Sequence, residues 1–185
     1  MAVKTFVTNE VLTASDTNTY LNNGGLVYVT SASFTGATWN INSCFTSTMN
    51  HYRVLVEYDS PGGNDVAFVQ LRTGLTNTTT GYYHAGADFL ASPTYSPQGG
   101  TNAASIRVGC MSSGIPARIQ LEFFKPYAAA YTGVTSYSQS SYSPDSRWLT
   151  ISGGHLANTT SYDGFSIAGS TSSTGTITVY GYRKA

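Results

Sequence analysis

Apolar and polar residues alternate along most of the chain from Leu26 onward, and short runs of Gly, Asn, Ser and Pro interrupt the alternation. A period of two is typical of β-strands that bury one face. The clearest strands are predicted at residues 26–30, 51–58, 66–73, 104–109, 117–124, 147–152 and 176–182. Weaker strands are predicted at residues 37–41, 81–89 and 164–168.

No helical pattern separates these strands. Parallel strands need crossover helices, so the pattern indicates an all-β, antiparallel protein. Two sheets packed as a jelly-roll-like β-sandwich would bury one face of every strand, and a closed barrel is the alternative. The run from Pro61 to Asp65 is expected to be a turn that pairs strand 66–73 with strand 51–58 as a hairpin.

The first 25 residues differ from the rest of the chain. Thr13 and Asp16 have the spacing of a capping box, which predicts a helix of about two turns that ends at Asn22–Gly25. So short a helix is unstable alone, and its apolar residues need a surface from another subunit or protein. We therefore divide the chain into a docking arm, 1–25, and a β-sandwich domain, 26–185. The arm's apolar residues are Val11, Leu12, Tyr20 and Leu21.

Two polar stretches, residues 91–102 and 128–146, are predicted to be long loops. In the second, Tyr131, Tyr137 and Tyr142 alternate with serines. Tyr provides rigid contact area and Ser conformational latitude, a composition found in recognition loops. This stretch is expected to bind a receptor, to contact a neighbouring subunit, or to be mobile.

Composition narrows the function classes. Nine Lys and Arg balance nine Asp and Glu, and only 10% of residues are charged. A neutral chain lacks the basic face needed to bind nucleic acid or an anionic membrane. The 13% of aromatic residues, 14 tyrosines included, argue against disorder. We find no stretch long enough for a signal peptide or a membrane span.

Ionisable residues form no recognisable catalytic or metal-binding motif. His51, His84 and His155 are far apart, and His155 adjoins a Gly-Gly pair expected to form a turn. Glu57 and Glu122 lie mid-strand and are expected to pair with arginines across strands rather than to act as a hydrolytic acid pair. We therefore expect no enzyme activity, no cofactor and no metal.

The cysteines and the larger aromatic residues have simple expected roles. Cys44 and Cys110 lie among apolar residues without CxxC spacing, so both are expected to be reduced and buried. Exposed aromatic rings could stack on sugars, although the two tryptophans are expected to lie in the core. The candidate sugar-stacking residues are Trp39, Trp148, Tyr82 and Tyr83.

Three segments resemble bacteriophage virion proteins. Residues 6–23 resemble the phrase G-E-x-L-T-A-x-D-x-N of tail and fibre proteins, with Asn9 in place of Gly. Residues 44–58 are similar to an internal strand of the same proteins, with departures at Met49 and His51. Residues 164–185 resemble a closing strand pair that ends G-x-I-x-V-Y-G-Y-R, matched from Gly175 to Arg183.

The resemblance implies a non-enzymatic virion structural protein that forms homotrimers or rings and contacts other virion proteins. A tail or fibre subunit is favoured slightly, because of the N-terminal phrase, over a capsid decoration or head-fibre protein. A carbohydrate-binding module that recognises a host-surface glycan is the alternative of a different class. The expected location is the virion, assembled in the host cytoplasm.

Overall fold

The computed structural model describes residues 8, 11, 13, 25–90, 95–143 and 146–183, and its strands form one antiparallel sheet. The predicted all-β, antiparallel class is confirmed. The strands are β1 Leu26–Ile41, β2 Met49–Pro61, β3 Asp65–Thr73, β4 Thr76–Asn77, β5 Tyr82–Leu90, β6 Tyr95–Ala103, β7 Ile106–Met111, β8 Ala117–Phe124, β9 Thr132–Ser143, β10 Ser146–Leu156 and β11 Gly164–Arg183.

The sheet curls so that one of its strands lies against its own inner face. Its order is β4-β3-β11-β2-β8-β9-β10-β5-β6, with β1 also paired to β11 and β7 also paired to β3. Strand β7 crosses the inner face of β9 and β10. The amide of Cys110 donates to Ser138 Oγ at 3.4 Å, and the hydroxyl of Ser152 donates to the carbonyl of Arg107 at 2.6 Å.

The predicted hairpin between β2 and β3 is wrong. Strand β2 pairs with residues 173–183 of β11, and β3 pairs with residues 164–168 of the same strand. The two strands therefore lie end to end along one edge of β11, and the chain continues in one direction between them. The run from Pro61 to Asp65 passes residues 169–172 of β11, which pair with neither β1, β2 nor β3, and it does not reverse the chain.

Asp65 binds this unpaired stretch of β11 through hydrogen bonds. Its carboxylate accepts hydrogen bonds from the amides of Val66 at 2.7 Å and Thr171 at 3.0 Å, and from the amide of Ser170. Burial by itself raises the pKa of Asp65, but the hydrogen bonds outweigh it and hold the pKa below its usual value. The ionised carboxylate therefore stabilises the folded state.

We expect Asp65→Asn to lower the free energy of unfolding by about 1.5–3 kcal/mol near neutral pH. Because the folded-state pKa is depressed, the stabilisation is complete above the ordinary aspartate value of about 4 and is lost as pH falls through the folded-state pKa. Urea unfolding at neutral and acidic pH should show the two proteins converging in acid. Asp59→Asn, at an exposed position nearby, should change stability by less than about 0.5 kcal/mol.

Both predicted loops contain strands instead. Residues 95–103 form β6, and residues 132–143 form β9. In β9 the buried positions of the alternation carry Ser136, Ser138 and Ser140, so the apolar signal of a strand is missing. Small residues are needed there because β7 lies close: a Cβ on Gly109 would come within 2.7 Å of Ser138 Oγ.

Aromatic rings fill the apolar part of the core. Phe45, Phe123 and Phe165 are at most 1% exposed, and their ring centroids lie 5.1–5.7 Å apart. Trp39 is 5% exposed and stacks on Phe34, so its predicted place in the core is confirmed, whereas Trp148 on β10 is only half-buried. Tyr82 is fully buried and cannot form a sugar platform.

The predicted cysteine environments are confirmed. Cys44 and Cys110 are unpaired and at most 1% exposed. Burial raises the pKa of the Cys44 thiol to about 12 and that of the Cys110 thiol to about 11. Neither thiol has the character of a reactive nucleophile, which needs a depressed pKa and access to solvent.

The predicted docking arm lies mostly outside the described residues. Of positions 1–25 only Thr8, Val11, Thr13 and Gly25 are described, and Val11 is 79% exposed. Leu12, Tyr20, Leu21 and the helix lie outside the described residues, so the arm stays a prediction. None of the described residues belongs to a helix that could cross a membrane.

Candidate functional site

One face of the sheet is a continuous surface that spans eight strands. It is formed by the eight strands β1, β11, β2, β8, β9, β10, β5 and β6, on the side opposite the core, and we call it the outer face. Side chains point alternately to the core and to this face, as they must along a strand. The strand pairings therefore fix which outward side chains are neighbours.

Three cross-strand rows make up most of the outer face, and all their members are exposed or half-buried. The first row is Tyr28, Tyr180, Arg53, Glu122, Thr135, Gly153, Ala85 and Gly99. The middle row is Ser31, Thr178, Leu55, Gln120, Tyr137, Ile151, Ala87 and Pro97. The third row is Ser33, Thr176, Glu57, Arg118, Gln139, Leu149, Phe89 and Tyr95.

The rows carry two ion pairs, and both bear out the prediction that Glu57 and Glu122 pair with arginines across strands. Arg53 contacts Glu122 at 2.5 Å in the first row. Arg118 contacts Glu57 at 3.2 Å in the third row, where both side chains are more than half exposed. Arg72 makes no such pair: it is 5% exposed and donates to the amide oxygens of Asn40, Asn42 and Asn77.

Between the ion pairs the middle row carries no charge, and its large side chains are aliphatic or aromatic apart from Gln120. Leu55 is 37% exposed, Tyr137 50% and Ile151 48%. A shallow groove runs beside Tyr137 toward β2, and a second extends toward Phe89 and Leu149. Exposed apolar stripes of this kind, rimmed by polar residues, mark interaction sites on soluble proteins.

A stack of three rings extends the outer face beyond the first row. The imidazole of His155 lies between Tyr83 and Tyr131, with centroid distances of 5.5 and 5.8 Å and nearly parallel planes. The expected Gly-Gly turn before His155 is wrong, because Gly153 and Gly154 lie within β10. Any Cβ on Gly154 would overlap the Tyr83 carbonyl oxygen, so glycine lets β5 and β10 pair here.

The predicted tyrosines are separated by the structure. Tyr131 is 59% exposed and belongs to the three-ring stack, whereas Tyr137 belongs to the middle row. Tyr142 lies in β9, and its side chain is outside the described part of the chain. Sequence reasoning missed the outward residues Leu149, Ile151 and His155 of β10, although their alternation was visible.

A buried ionic cluster lies on the other side of the same strands. The Asp88 carboxylate, 3% exposed, accepts hydrogen bonds from Arg107 at 2.6 Å, Thr150 at 2.7 Å and Gln98 at 3.0 Å. These contacts tie β5 and β6 to β7 and β10. Because the carboxylate is enclosed and its hydrogen bonds are satisfied, we assign the cluster a structural role.

Within the described residues no group of three or more His, Cys, Asp or Glu is placed to hold a metal ion. His51 packs against Phe124, away from the other two histidines. His84, half-buried in β5, and His155 of the three-ring stack lie on paired strands one register position apart, so alternation points their side chains to opposite faces. Desolvation and the positive charge of Arg107 lower the pKa of His84.

Comparison with known proteins adds nothing to this geometry. No protein-family model matches the chain, and no curated protein matches it.

Proposed function

We propose that this chain is a non-enzymatic structural protein of a bacteriophage virion, a tail or fibre subunit that docks through residues 1–25 and self-assembles through its β domain. Capsid decoration or head fibre is the alternative within this class. The outer face is the observation that carries the self-assembly part. A broad face with only four charged residues in its three rows loses little hydration when another protein covers it.

The assignment to a virion rests on the three sequence segments that resemble phage proteins. Two of them lie on paired strands: the residues from Gly175 to Arg183 and those from Met49 to Tyr58 pair across β11 and β2. In architecture we propose a jelly-roll-like sandwich, supported by the packing of β7 across β9 and β10. The oligomer proposed from the resemblance is a homotrimer or ring.

Removing residues 1–23 is expected to leave the β domain folded and to abolish its incorporation into particles. The reason is that the proposed arm has only about two helical turns and needs another protein to bury its apolar residues. Circular dichroism with thermal melting measures whether the β domain is folded. Mass spectrometry of density-purified virions of the phage that encodes this chain measures incorporation.

Leu75→Ala is the matched control, since Leu75 is 81% exposed and belongs to neither the arm nor the outer face. This variant should fold and enter particles. If the full-length chain is missing from purified virions, the virion assignment is wrong. If the truncated chain folds and still enters particles, the arm is not the docking element.

Recognition of a host-surface glycan is the second candidate, and the exposed stack of Tyr83, His155 and Tyr131 favours it. One face of each tyrosine lies against the imidazole, so the other face is the one offered to a sugar ring. Were the stack a glycan site, Tyr131→Ala would weaken glycan binding by about 10-fold, equal to about 1.4 kcal/mol.

A glycan array followed by titration of the best-binding glycan measures this effect. Tyr95→Ala is the control, because Tyr95 is 66% exposed in the third row of β6, at the other end of the strands from the stack. Equal losses from both variants, or no glycan bound by the full chain, would remove recognition as a function of the stack.

A further inference from the structure

The three rows of the outer face have a regular arrangement of charge and size. The order of charges is opposite on two neighbouring strands. Strand β2 carries Arg53 in the first row and Glu57 in the third, whereas β8 carries Glu122 in the first row and Arg118 in the third. The order of large and small side chains is also opposite at the two ends of the rows. On β10, β5 and β6 the third row is large and the first row small, and on β1 and β11 the first row is large and the third row small.

From this arrangement we infer that the outer face binds the outer face of a second copy of this chain, around a two-fold axis that runs along the middle row. Such an axis places each strand over the same strand of the partner copy, running the opposite way. It also places the first row of one copy over the third row of the other. Two-fold contacts of this kind are the commonest in homo-oligomers.

Charge complementarity follows from this placement. Arg53 of one copy faces Glu57 of the partner copy, and Glu122 faces Arg118 of the partner copy. Because the contact is isologous, each pairing occurs twice, which gives four attractive contacts in all, two on each side of the middle row. Within the middle row Leu55, Tyr137 and Ile151 each meet their own counterpart and bury the apolar stripe.

Shape complementarity follows from the same axis. The large third-row side chains of Leu149, Phe89 and Tyr95 face Gly153, Ala85 and Gly99 of the partner copy. The first-row rings of Tyr28 and Tyr180 face Ser33 and Thr176. Large residues opposite small ones let two sheets approach to the distance of about 10 Å at which sheets pack.

The outer face is broad. Taken as flat, eight strands spaced about 4.8 Å apart and three rows of residues cover roughly 38 by 20 Å, or roughly 800 Å² on each copy. Neighbouring strands twist by about 20–25°, so the outermost strands turn away from the partner and the contact centres on β2, β8, β9 and β10, with less than the area of about 800 Å² per partner that is typical of specific interfaces. A competing two-fold axis, parallel to the strands and midway between β2 and β8, also brings opposite charges of the two copies together. It leaves Phe89 and Tyr95 uncovered.

This inference deepens the self-assembly part of the proposed function and rests on it, but it does not depend on the virion assignment. A two-fold contact gives a dimer when it acts alone. It gives a hexamer when each copy also belongs to a trimer. In both cases, breaking the contact halves the mass of the particle in solution.

The test reverses charges without breaking the ion pairs within a chain. In the double variant Arg53→Glu/Glu122→Arg the two residues still attract each other, but each faces a like charge on the partner copy. We expect self-association to weaken by at least about 100-fold, because like charges across an interface strongly disfavour it. Light scattering over a concentration series measures the mass, and circular dichroism checks the fold.

The matched control reverses all four residues: Arg53→Glu, Glu57→Arg, Arg118→Glu and Glu122→Arg. Every pair within and between copies is then attractive again, so the mass of the wild-type protein should return. Wild-type protein that is oligomeric and unaffected by the double reversal would overturn this axis while leaving self-assembly standing. Wild-type protein that is monomeric at about 100 μM would overturn both and assign the face to a different protein.

Discussion

Replacing Asp88 with alanine is expected to lower the free energy of unfolding by about 3–5 kcal/mol. The carboxylate is 3% exposed and accepts hydrogen bonds from Arg107, Thr150 and Gln98. Its removal leaves the guanidinium of Arg107 in a nearly closed site without its counter-charge, which is the costly part of breaking a buried pair. Chemical denaturation of both proteins measures the difference.

Glu57→Ala provides the comparison, because the Glu57–Arg118 pair is exposed to solvent. Exposed pairs of this kind are worth only about 0–1 kcal/mol. The double variant Asp88→Leu/Arg107→Leu should recover much of the stability lost by Asp88→Ala, since no unpaired charge remains buried. A loss below about 1 kcal/mol for Asp88→Ala would mean that solvent reaches the cluster.

Phe165→Ala is expected to cost about 3–5 kcal/mol. The ring is fully buried, and it packs between Phe45 in the β1–β2 connection and Phe123 on β8. It lies on the half of β11 that pairs with β3, whereas Phe123 lies beyond β2 in the sheet order. The ring therefore links two parts of the curled sheet, and its loss leaves a cavity that the aromatic neighbours cannot fill.

Phe124→Ala tests whether the loss of stability in Phe165→Ala comes from burial of the ring or from loss of any aromatic residue. Phe124 follows Phe123 on β8 but points to the outer face and is 40% exposed. Its replacement should cost less than about 1 kcal/mol. Similar losses for the two variants, measured by urea unfolding, would contradict the proposed role of Phe165.

The sequence predicted strands wherever the buried positions are apolar. Strand β8 has the predicted bounds, and β2 contains the predicted strand with a few residues added at each end. Here every second residue is aliphatic or aromatic, so period-two alternation identifies both the strand and its buried face. The buried position of Trp39 could be predicted for the same reason.

Prediction failed where small polar residues occupy the interior. The buried serines of β9 look like a loop because the reason for their size, the close passage of β7, is a contact far along the chain. The hairpin between β2 and β3 was predicted because Pro, Gly and Asp favour turns, but β11 binds both strands along one edge. The rows of the outer face depend on the pairing register of eight strands, which local alternation does not determine.

The position of β11 has a consequence for how the protein is made. This strand pairs with β1, β2 and β3, yet residues 164–183 are translated after all of the strands they join. Until they leave the ribosome, β2 and β3 lack the edge along which they align, and apolar strand surface stays exposed. Contacts that distant in sequence form slowly. Nascent chains therefore remain vulnerable to aggregation until residues 164–183 have been synthesised, and we expect their yield to depend on chaperones that shield exposed strands.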